Sequence, residues 1–369
     1  MDKSNLDILF IALNKIQFDA RLYNFINTFL SLNKTLGALT IDYPTLKISN
    51  LKHCKIQIED NLRTITKTLK FYKQSLDHIG KFEPKFTICS DVYSLPVGVK
   101  FKKRYNSALI YDSREIYSSL ASLKNHPLKQ FLLKHFEAHY VEYVDKIIVT
   151  GELDKDFLLT KFPSKHITVI KNFPRRANQI KTFDIKNMLG IANDAIIAIY
   201  QGVLIGGRGV EISLRSLLYD NKIHLVIAGG GPLEDRFKSL AKEIAVDKRT
   251  HFIGSIPYSE LINYTAACDI GLCLIEPISL SYELALPNKL FEYIQAKIPI
   301  VATKLTAIEK IFDQHDVGLL VQPNISAREL AKVIRFVVEN SDKYKQNLEK
   351  ASGVFVWENQ ESKIKDLLQ

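Results

Sequence analysis

Short apolar segments of strand length alternate with longer amphipathic segments along nearly the whole chain, and this alternation most constrains the fold. In the first half, apolar runs lie at residues 7–13 and 108–112, and residues 128–144 repeat apolar side chains with a helical period. Parallel strands need helical crossovers between them, so the pattern predicts an α/β fold with mainly parallel sheets. With 369 residues, the chain exceeds one typical domain and is expected to form two.

A polar segment with a proline, residues 172–183, separates two such series and has the composition of a domain linker. We therefore predict two Rossmann-like domains, one over residues 1–177 and one over residues 178–354. Residues 355–369 predict a short amphipathic helix that packs across the domain junction. Ligands of such sheets bind at the carboxyl ends of the strands, so the two sheets are expected to face each other across a ligand-binding cleft.

The composition is that of a soluble globular protein, with 46% hydrophobic and 24% charged residues. The first apolar run is interrupted by Asn14 and Lys15, which argues against a signal peptide, and no window of about 18 residues is apolar enough to span a bilayer. We therefore expect a cytoplasmic protein. The formal net charge of +10 suits an anionic membrane surface, phosphorylated substrates or an ordinary lysine-rich protein. No nucleic-acid partner is expected, because no RNA-binding aromatic signature or helix-turn-helix pattern is present.

The sequence offers no convincing metal site. The cysteines lie in apolar surroundings without a CxxC pair, which predicts buried, reduced thiols. His135 and His139 are four residues apart but lack a third ligand. Asp154 and Asp156 form a D-x-D sequence at a predicted helix start, where acidic residues favour the helix dipole.

Glycines and a basic residue follow the first predicted strand of the second half, in IYQGVLIGGRGVE (residues 199–211). Gly202, Gly206 and Gly207 would let the main chain approach an anion closely. Arg208 can pair bidentately with phosphate oxygens, or it can simply face solvent from an ordinary strand-to-helix loop.

Two later segments also lie at predicted strand ends. VIAGGGPLEDRFKSL (residues 226–240) places a glycine triplet before Pro232, which is predicted to open a helix. In LPNKLFEYIQAKIPIVAT (residues 286–303), Asn288 is predicted to cap a helix that begins near Lys289, where the helix N-terminus favours an anion. Glu292, one turn later, can accept hydrogen bonds from two sugar hydroxyls or can pair with Lys289.

Together, in this order, these segments resemble glycosyltransferase family 4, whose members have the two-domain GT-B architecture. The strings that carry the resemblance are YQG…RG, IAGGGP, FIG…YSEL…Y..ACDIGL and PNKLFEYI.A.IPIV.T. The resemblance is strongest over residues 199–322. Trp357 and Glu358 resemble the start of the family's C-terminal helix, which crosses back to the first domain.

The resemblance implies a retaining, metal-independent transfer of a sugar from a nucleotide-diphosphate donor, such as a UDP-sugar, to an acceptor hydroxyl, with no cofactor. The expected acceptor is a glycan or a lipid-linked molecule, and the expected role is surface polysaccharide or glycolipid synthesis. Peripheral contact with the inner face of the cell membrane is expected from such a role. It implies that Arg208 and Lys289 hold the diphosphate and that Glu292 binds the ribose, and we count these three as the catalytic set. The remaining donor contacts are expected at Gly202, Gly206, Gly207, Gly230, Ile256, Tyr258, Glu283, Pro287, Asn288 and Leu290.

Three positions depart from the family pattern. Leu284 stands where the first glutamate of the E-x7-E motif is expected, and Glu283 lies one residue early. Val203 replaces a second basic residue. Lys297 replaces a glycine, and since a left-handed lysine costs about 1 kcal/mol, the turn there is expected to differ.

The acceptor is expected to meet the first half of the chain. IYDSREIYSS (residues 110–119) resembles a D-x-H-E segment of related transferases, with Arg114 in place of the histidine. The candidate residues for acceptor or sugar contact are Asp19, Arg21, Asp91, Asp112, Arg114 and Glu115. The alternative is structural, because charged loop residues often form salt bridges and Asp19 can cap a helix.

Other functions are less well supported. A nucleotide-sugar epimerase of the same shape needs acid and base groups that the sequence does not place. A dehydrogenase needs GxGxxG after the first strand, and LNKIQFD there has no glycine. A degenerate, non-catalytic nucleotide-sugar-binding subunit stays open, because of Leu284 and Arg114.

Overall fold

The computed structural model describes residues 4–41, 48–59, 62–177, 179–181 and 183–369. It contains two compact units, one formed by Met1–Lys171 with Gln360–Gln369 and the other by Asn172–Asn359. The predicted domain boundary involves Asn178, which lies outside the described residues, as does Thr182 of the predicted linker.

Parallel strands form one sheet in the first unit. They are β1 (Ser4–Ala12), β2 (Leu36–Ile41), β3 (Leu51–Ile56), β4 (Phe82–Cys89), β5 (Ala108–Ser113), β6 (Lys146–Val149) and β7 (His166–Val169). Their order across the sheet is β3-β2-β1-β4-β5-β6-β7. Residues 8–12 of β1 are completely buried, which explains their uninterrupted apolar run: both faces of a central parallel strand are covered.

Helices connect these strands. They are α1 (Ala20–Ser31), α2 (Thr64–Leu76), α3 (Leu95–Tyr105), α4 (Pro127–Val141) and α5 (Glu152–Lys161), and the first unit also includes α15 (Glu361–Asp366) from the end of the chain. The side chain of Gln360 fastens this last segment, since it bonds both the N–H and the carbonyl of Lys171 (2.7 and 3.0 Å).

The second unit has a parallel sheet of its own. Its strands are β8 (Ile196–Gln201), β9 (Ile223–Ala228), β10 (Thr250–Gly254), β11 (Ile270–Cys273), β12 (Ile300–Thr303) and β13 (Gly318–Val321), in the spatial order β10-β9-β8-β11-β12-β13. Its helices are α6 (Ile185–Leu189), α7 (Val210–Ser216), α8 (Glu234–Glu243), α9 (Tyr258–Ala266), α10 (Leu280–Glu283), α11 (Asn288–Gln295), α12 (Thr306–His315), α13 (Ala327–Glu339) and α14 (Ser341–Val354). Two parallel sheets connected by helices confirm the predicted α/β fold class. None of the described helices is long and apolar enough to cross a membrane.

One predicted helix start and one predicted helix cap are wrong. Helix α8 begins at Glu234, so Pro232 precedes it instead of opening it. Helix α11 begins at Asn288 itself, with Pro287 as N-cap and no side-chain cap.

The turn at Lys297 also differs from its prediction, because the lysine does adopt a left-handed conformation with φ of 59°. Its N–H donates to Ile294 (3.0 Å), and the N–H of Ile298 donates to Tyr293 (3.2 Å). These are the two bonds of a Schellman motif, which satisfy carbonyls at the end of α11 and offset the strain. The Lys297 ammonium lies 2.6 Å from Glu349 on α14.

Candidate functional site

The strand order of the second unit reverses between β8 and β11, and the loops that follow these strands pack against each other. The N–H of Glu276 donates to the Gly207 carbonyl (3.0 Å). Gly209 has φ of 78°, and a Cβ there would overlap the main chain of Leu274. Such a switch point is where open α/β sheets bind ligands. The loop after β8 therefore packs on the loop after β11, and α11 reaches the same edge of the sheet, because Glu292 accepts a hydrogen bond from Gln201 at the end of β8.

The glycine triplet after β9 joins the same edge. The N–H of Gly202 donates to Ala228 (2.9 Å), and the N–H of Leu204 donates to Gly230 (3.0 Å). Gly229 has φ of 148°, and a Cβ there would overlap the Gly202 carbonyl. Gly229 therefore serves the close packing of two loops. Gly206, by contrast, is exposed with open space around it, so its main chain is accessible to a ligand.

The guanidinium of Arg208 lies over the ring of Tyr282, 4.2 Å from the ring centroid. The ring is buried, and its hydroxyl contacts the Gly206 carbonyl (3.4 Å). Among the described residues, Arg208 has no ion-pair or hydrogen-bond partner. A half-buried arginine held on an aromatic face keeps its donors available for an anion.

The ammonium of Lys289 is buried at the start of α11, with only 6% of the residue exposed. Its Nζ lies 3.7 Å from the centroid of the Tyr200 ring, and no hydrogen-bond partner is present within the described part of the chain. It also lies near Gly202, since a Cβ on that glycine would be 3.8 Å from Nζ. Burial, reinforced by the charge of Arg208 and opposed by Glu292, lowers the pKa of Lys289 to about 7. A buried amine without a partner is costly, so this position favours an incoming anion.

Glu292 lies one turn into α11 and is held by Gln201, a residue that the sequence analysis did not predict to be in the site. Its Oε2 accepts a hydrogen bond from Nε2 of Gln201, the last residue of β8. The Thr265 hydroxyl donates to Oε1 of the same amide (2.8 Å), which fixes the orientation of the Gln201 amide. Burial raises the pKa of Glu292, against the opposing Gln201 bond and the charge of Lys289. The other carboxylate oxygen has no partner among the described residues.

The remaining predicted donor residues are spread around this edge. Glu283 and Asn288 are exposed, Ile256 and Tyr258 are half-buried, and Pro287 is buried next to Lys289. Leu290 is fully buried in the core, so any donor contact from it is restricted to its main chain. Gly230 lies next to Glu234 and Ser255, whose side-chain oxygens would be 3.4 Å from a Cβ there. Tyr200, Gln201, Thr265 and Tyr282 are the site residues that sequence reasoning missed. The only signal was that Tyr200 and Gln201 lie within the quoted YQG string.

Charged residues predicted to meet the acceptor form one buried network in the first unit. Asp112 accepts from Arg21 (Nη2, 2.7 Å) and from Arg114 (Nε, 3.0 Å), and Arg114 also pairs with Asp19 (2.5 Å). Asp19 caps α1 through the Leu22 N–H (2.9 Å), so the capping alternative is confirmed. Burial alone would raise the pKa of Asp112, but the guanidiniums of Arg21 and Arg114 hold it below its usual value.

Two further acceptor candidates lie nearby. Asp91 accepts from the N–H groups of Leu13 (2.9 Å) and Ser94 (2.7 Å), so it ties together the loops after β1 and β4. Glu115 is half-buried in the loop after β5. Most of these side chains therefore have structural partners. Arg114 still has one unused donor, because its Nη2 is buried with no hydrogen-bond partner among the described residues.

The four cysteines are free, and Cys89, Cys268 and Cys273 are buried. In the described part of the chain, no group of three or more His, Cys, Asp or Glu side chains could hold a metal ion. Asp154 accepts instead from the Thr150 hydroxyl (2.9 Å), and burial raises its pKa to about 6.

Comparison with known proteins gives a family match for the second unit. Residues 181–353 match the family model described as Glycosyl transferases group 1. A relative is TuaC of Bacillus subtilis, which is named as a teichuronic acid biosynthesis glycosyltransferase. It is 26% identical over 160 residues, a match that spans 43% of this chain and 37% of TuaC. The match thus covers little more than a third of that relative.

Solved structures match the fold of nearly the whole chain. Sucrose-phosphate synthase from Thermosynechococcus elongatus has a TM-score of 0.78 at 16% identity, over 97% of this chain and 98% of that one. HepE of Anabaena in complex with UDP-glucose has a TM-score of 0.76 at 15% identity, over 98% and 99%. WaaG, a glycosyltransferase involved in lipopolysaccharide biosynthesis, has a TM-score of 0.71 at 13% identity, over 97% and 99%. The chain therefore has the predicted GT-B fold, and its second unit matches the group 1 glycosyl transferases.

Proposed function

We propose that this chain is a retaining glycosyltransferase of family 4, which moves a sugar from a nucleoside-diphosphate sugar to an acceptor hydroxyl. The observation that carries the proposal is the pair of cations at the switch point of the second unit. Arg208 and Lys289 both lie beside exposed glycine main chain, and neither has an anionic partner among the described residues. A diphosphate would satisfy both.

These cations suit the chemistry because the main barrier to glycosyl transfer is departure of the charged diphosphate. Positive charge placed in advance, in a site of low dielectric constant, stabilises that leaving group. Arg208 can supply this charge in advance, and Lys289 can supply it once the amine is protonated on diphosphate binding, without a metal ion. The acceptor oxygen bonds to the anomeric carbon as the bond to the diphosphate oxygen breaks, and the acceptor proton passes to that departing oxygen. Retention therefore needs no protein base.

We assign the donor ribose to Glu292, because its second carboxylate oxygen has no partner among the described residues and can accept a hydrogen bond from a ribose hydroxyl. A UDP-sugar is the first donor to test, because the HepE structure of the same fold contains UDP-glucose. The names of TuaC and WaaG support a role in polysaccharide or glycolipid synthesis, with a glycan or lipid-linked acceptor.

The decisive experiment measures nucleotide release from UDP-, GDP- and ADP-sugars by the purified protein, with and without glycan acceptors. We expect one donor class to release nucleotide faster when an acceptor is present. Replacing a single charge-stabilising donor typically slows catalysis by about 10²–10³-fold, so Lys289→Met and Arg208→Ala should fall in that range. Tight binding of a nucleotide sugar, with no release at saturation and no transfer to any acceptor, would instead identify a non-catalytic binding subunit.

A further inference from the structure

Large apolar side chains are exposed close together on the second unit. Leu218 is 50% exposed, Tyr219 56% and Phe336 53%. The first two belong to a turn of 3₁₀ helix (Leu217–Tyr219), and α13, which carries Phe336, packs against that turn. We call these three residues the α13 patch. Single exposed apolar residues are ordinary, but large ones on two neighbouring elements are typical of an interaction surface.

An ion pair holds the patch in one arrangement. Arg335 donates to both carboxylate oxygens of Asp220, from Nε and from Nη2, at 2.6 Å each. Tyr219 and Phe336 are the sequence neighbours of these two residues. The patch therefore offers aromatic side chains beside a fixed arginine, and both residue types are enriched at protein–protein interfaces.

The patch lies at the amino edge of the second sheet, opposite the candidate donor site. The Leu217–Tyr219 turn comes just before β9, which begins at Ile223 on that edge. The ion pair between Arg335 and Asp220 fixes this part of α13 beside the same turn. The glycine loops of the donor site follow the strands at the carboxyl edge. A partner bound to the patch would therefore leave those loops uncovered.

The exposed face of α13 has positive charge toward one end and negative charge toward the other. Arg328 and Lys332 are exposed in its first half, Phe336 follows, and Glu339 is exposed at its end. Their spacings of four, four and three residues place them on one face of the helix. Glu329, near the start, is taken up in the capping box.

This charge pattern is complementary to a second copy of itself. A two-fold axis through Phe336, perpendicular to α13, brings the two helices together in antiparallel directions. Lys332 lies about 6 Å before Phe336 along the helix and Glu339 about 4.5 Å after it, so each Lys332 comes opposite the Glu339 of the other copy. Glu339 is accessible for this contact, since its side chain is 60% exposed and lies 3.6 Å from Arg335.

We propose that the chain forms a symmetric dimer through the α13 patch. Leu218, Tyr219 and Phe336 of the two copies pack around the two-fold axis, and Lys332 and Glu339 form ion pairs on both sides of it. Three half-exposed side chains supply only part of the roughly 800 Å² per partner of a standard interface, so the dimer is reversible. The proposal uses no residue of the donor site and is independent of the proposed function.

The test is sedimentation equilibrium of the full chain over about a hundredfold range of concentration. We expect the average mass to rise from that of a monomer toward that of a dimer. The variant Tyr219→Ser, Phe336→Ser should dimerise at least about tenfold more weakly, because it removes the aromatic centre of the interface. A parent chain that stays monomeric throughout, or a dimer that this variant leaves unchanged, overturns the proposal.

A charge exchange tests the antiparallel arrangement. Lys332→Glu and Glu339→Lys each place like charges opposite one another in their own dimers, so each should dimerise about tenfold more weakly than the parent. Mixed in equal amounts, the two variants should recover dimerisation as a mixed dimer, because every glutamate then faces a lysine. A mixture that associates no better than either variant alone contradicts the two-fold contact.

The matched control is Leu128→Ser with Leu132→Ser, which removes side chains that are 69% and 58% exposed on α4 of the first unit. It should dimerise like the parent, and a loss of dimerisation would place the contact on α4 and refute the α13 patch. All variants should keep the parent's melting temperature at a monomeric concentration, because the replaced groups are exposed. A change in mass then reports the contact and not the fold.

Nucleotide release separates this inference from the proposed function. The α13 variants should release nucleotide at the parent's rate, because the patch and the donor site lie at opposite edges of the sheet. If release is present and the dimer is absent, only the patch is wrong. If the dimer responds to the variants as expected and no donor releases nucleotide, the proposed function is wrong and the dimer stands.

Discussion

A single lysine illustrates how residue-level physics defines this site. Lys289 is buried and has a lowered pKa, and its ammonium has no hydrogen-bond partner in the described part of the chain. A hydrophobic side chain would be more stable at this position, because a buried charge without a partner costs several kcal/mol. Its presence is explained if the counter-ion arrives with a ligand.

Binding of UDP should therefore take up a proton at Lys289 above pH 7. The groups facing its Nζ are Arg208, Glu292, the Cys273 thiol and the Tyr200 ring. Burial keeps the free amine largely neutral above a pKa of about 7, and the diphosphate stabilises the protonated form. Affinity should be greatest below pH 7 and fall as the pH rises through that value. Calorimetry in buffers of different ionisation enthalpy measures the proton directly between pH 7.5 and 8.5, where the terminal phosphate of UDP is already ionised because the second pKa of such a phosphate is about 6.

Lys289→Arg provides the control, since a guanidinium remains charged throughout this range. Its UDP affinity should vary little with pH, and it should take up no proton. Proton uptake that persists in this variant would assign the titration to another group.

The Thr265–Gln201–Glu292 chain supports a second residue-level prediction. Glu292→Ala should weaken UDP binding by roughly 1–3 kcal/mol, the scale of lost charge-assisted hydrogen bonds. Gln201→Leu should give a smaller loss, because the carboxylate remains but loses its orienting partner. Calorimetry measures both losses. As a ligand control, uridine with its ribose hydroxyls replaced by hydrogen should bind the parent and Glu292→Ala equally, because it lacks the groups that Glu292 is proposed to bind. An unchanged affinity in Glu292→Ala argues against the ribose role.

At the scale of elements, close loop packing decides where the site residues lie. The loops after β8, β9 and β11 approach each other so closely that Gly209 and Gly229 have no room for a side chain. Sequence patterns predict glycine loops, but they do not distinguish a packing glycine from a ligand-facing one. Gly229 belongs to the first class, whereas Gly206 has open space around it that leaves room for a ligand.

Gly229→Ala is expected to destabilise the second unit. A positive φ costs a non-glycine residue about 1–3 kcal/mol, and the clash with the Gly202 carbonyl adds to this. Gly353→Ala is the control, because that glycine lies in α14 with nothing within 4 Å of its Cβ position. Urea unfolding should show a large loss for the first variant and none for the second. Equal stabilities would mean that the two loops can separate at little cost.

At the scale of the whole molecule, the chain connectivity of the two units differs. The second unit is one continuous stretch, whereas the first is completed by residues 360–369. Ile364 and Leu367 of that segment are buried, and Lys146 bonds the Leu367 carbonyl (3.2 Å). The last residues of the chain are therefore part of the core of the first unit.

Deleting residues 360–369 should lower the melting temperature of the first unit and spare the second. The deletion removes two buried apolar side chains and both Gln360 bonds to Lys171. Stabilisation of the second unit by UDP should remain, at about 2.7 kcal/mol for ligand at 100 times its dissociation constant. Differential scanning calorimetry with and without UDP separates the two transitions. A loss of the UDP response would show that the segment is needed for the second unit.

Sequence patterns predicted the strands with long apolar runs and the helices with broad apolar faces. A strand buried on both faces appears in the sequence as a continuous apolar run, and a helix buried on one side appears as apolar residues at a helical period. They missed α3, whose Pro96 and Gly98 argue against a helix. Gly98 is there because α3 packs closely on Cys89 and Leu109. They also missed α14, where a mostly polar helix buries only Tyr344, Leu348 and Ala351.

The sequence by itself determined the two-unit α/β fold, the glycine loops and the identity of the basic residues, since each depends on local pattern and spacing. Only the tertiary structure decided which groups are neighbours. It placed Gln201 against Glu292, Arg208 on Tyr282, and the charged candidates of the first unit in one buried network. It also left Lys289 without a partner among the described residues. The physical reason is that such contacts join residues from different strands and loops, and residue order carries no record of distance between them.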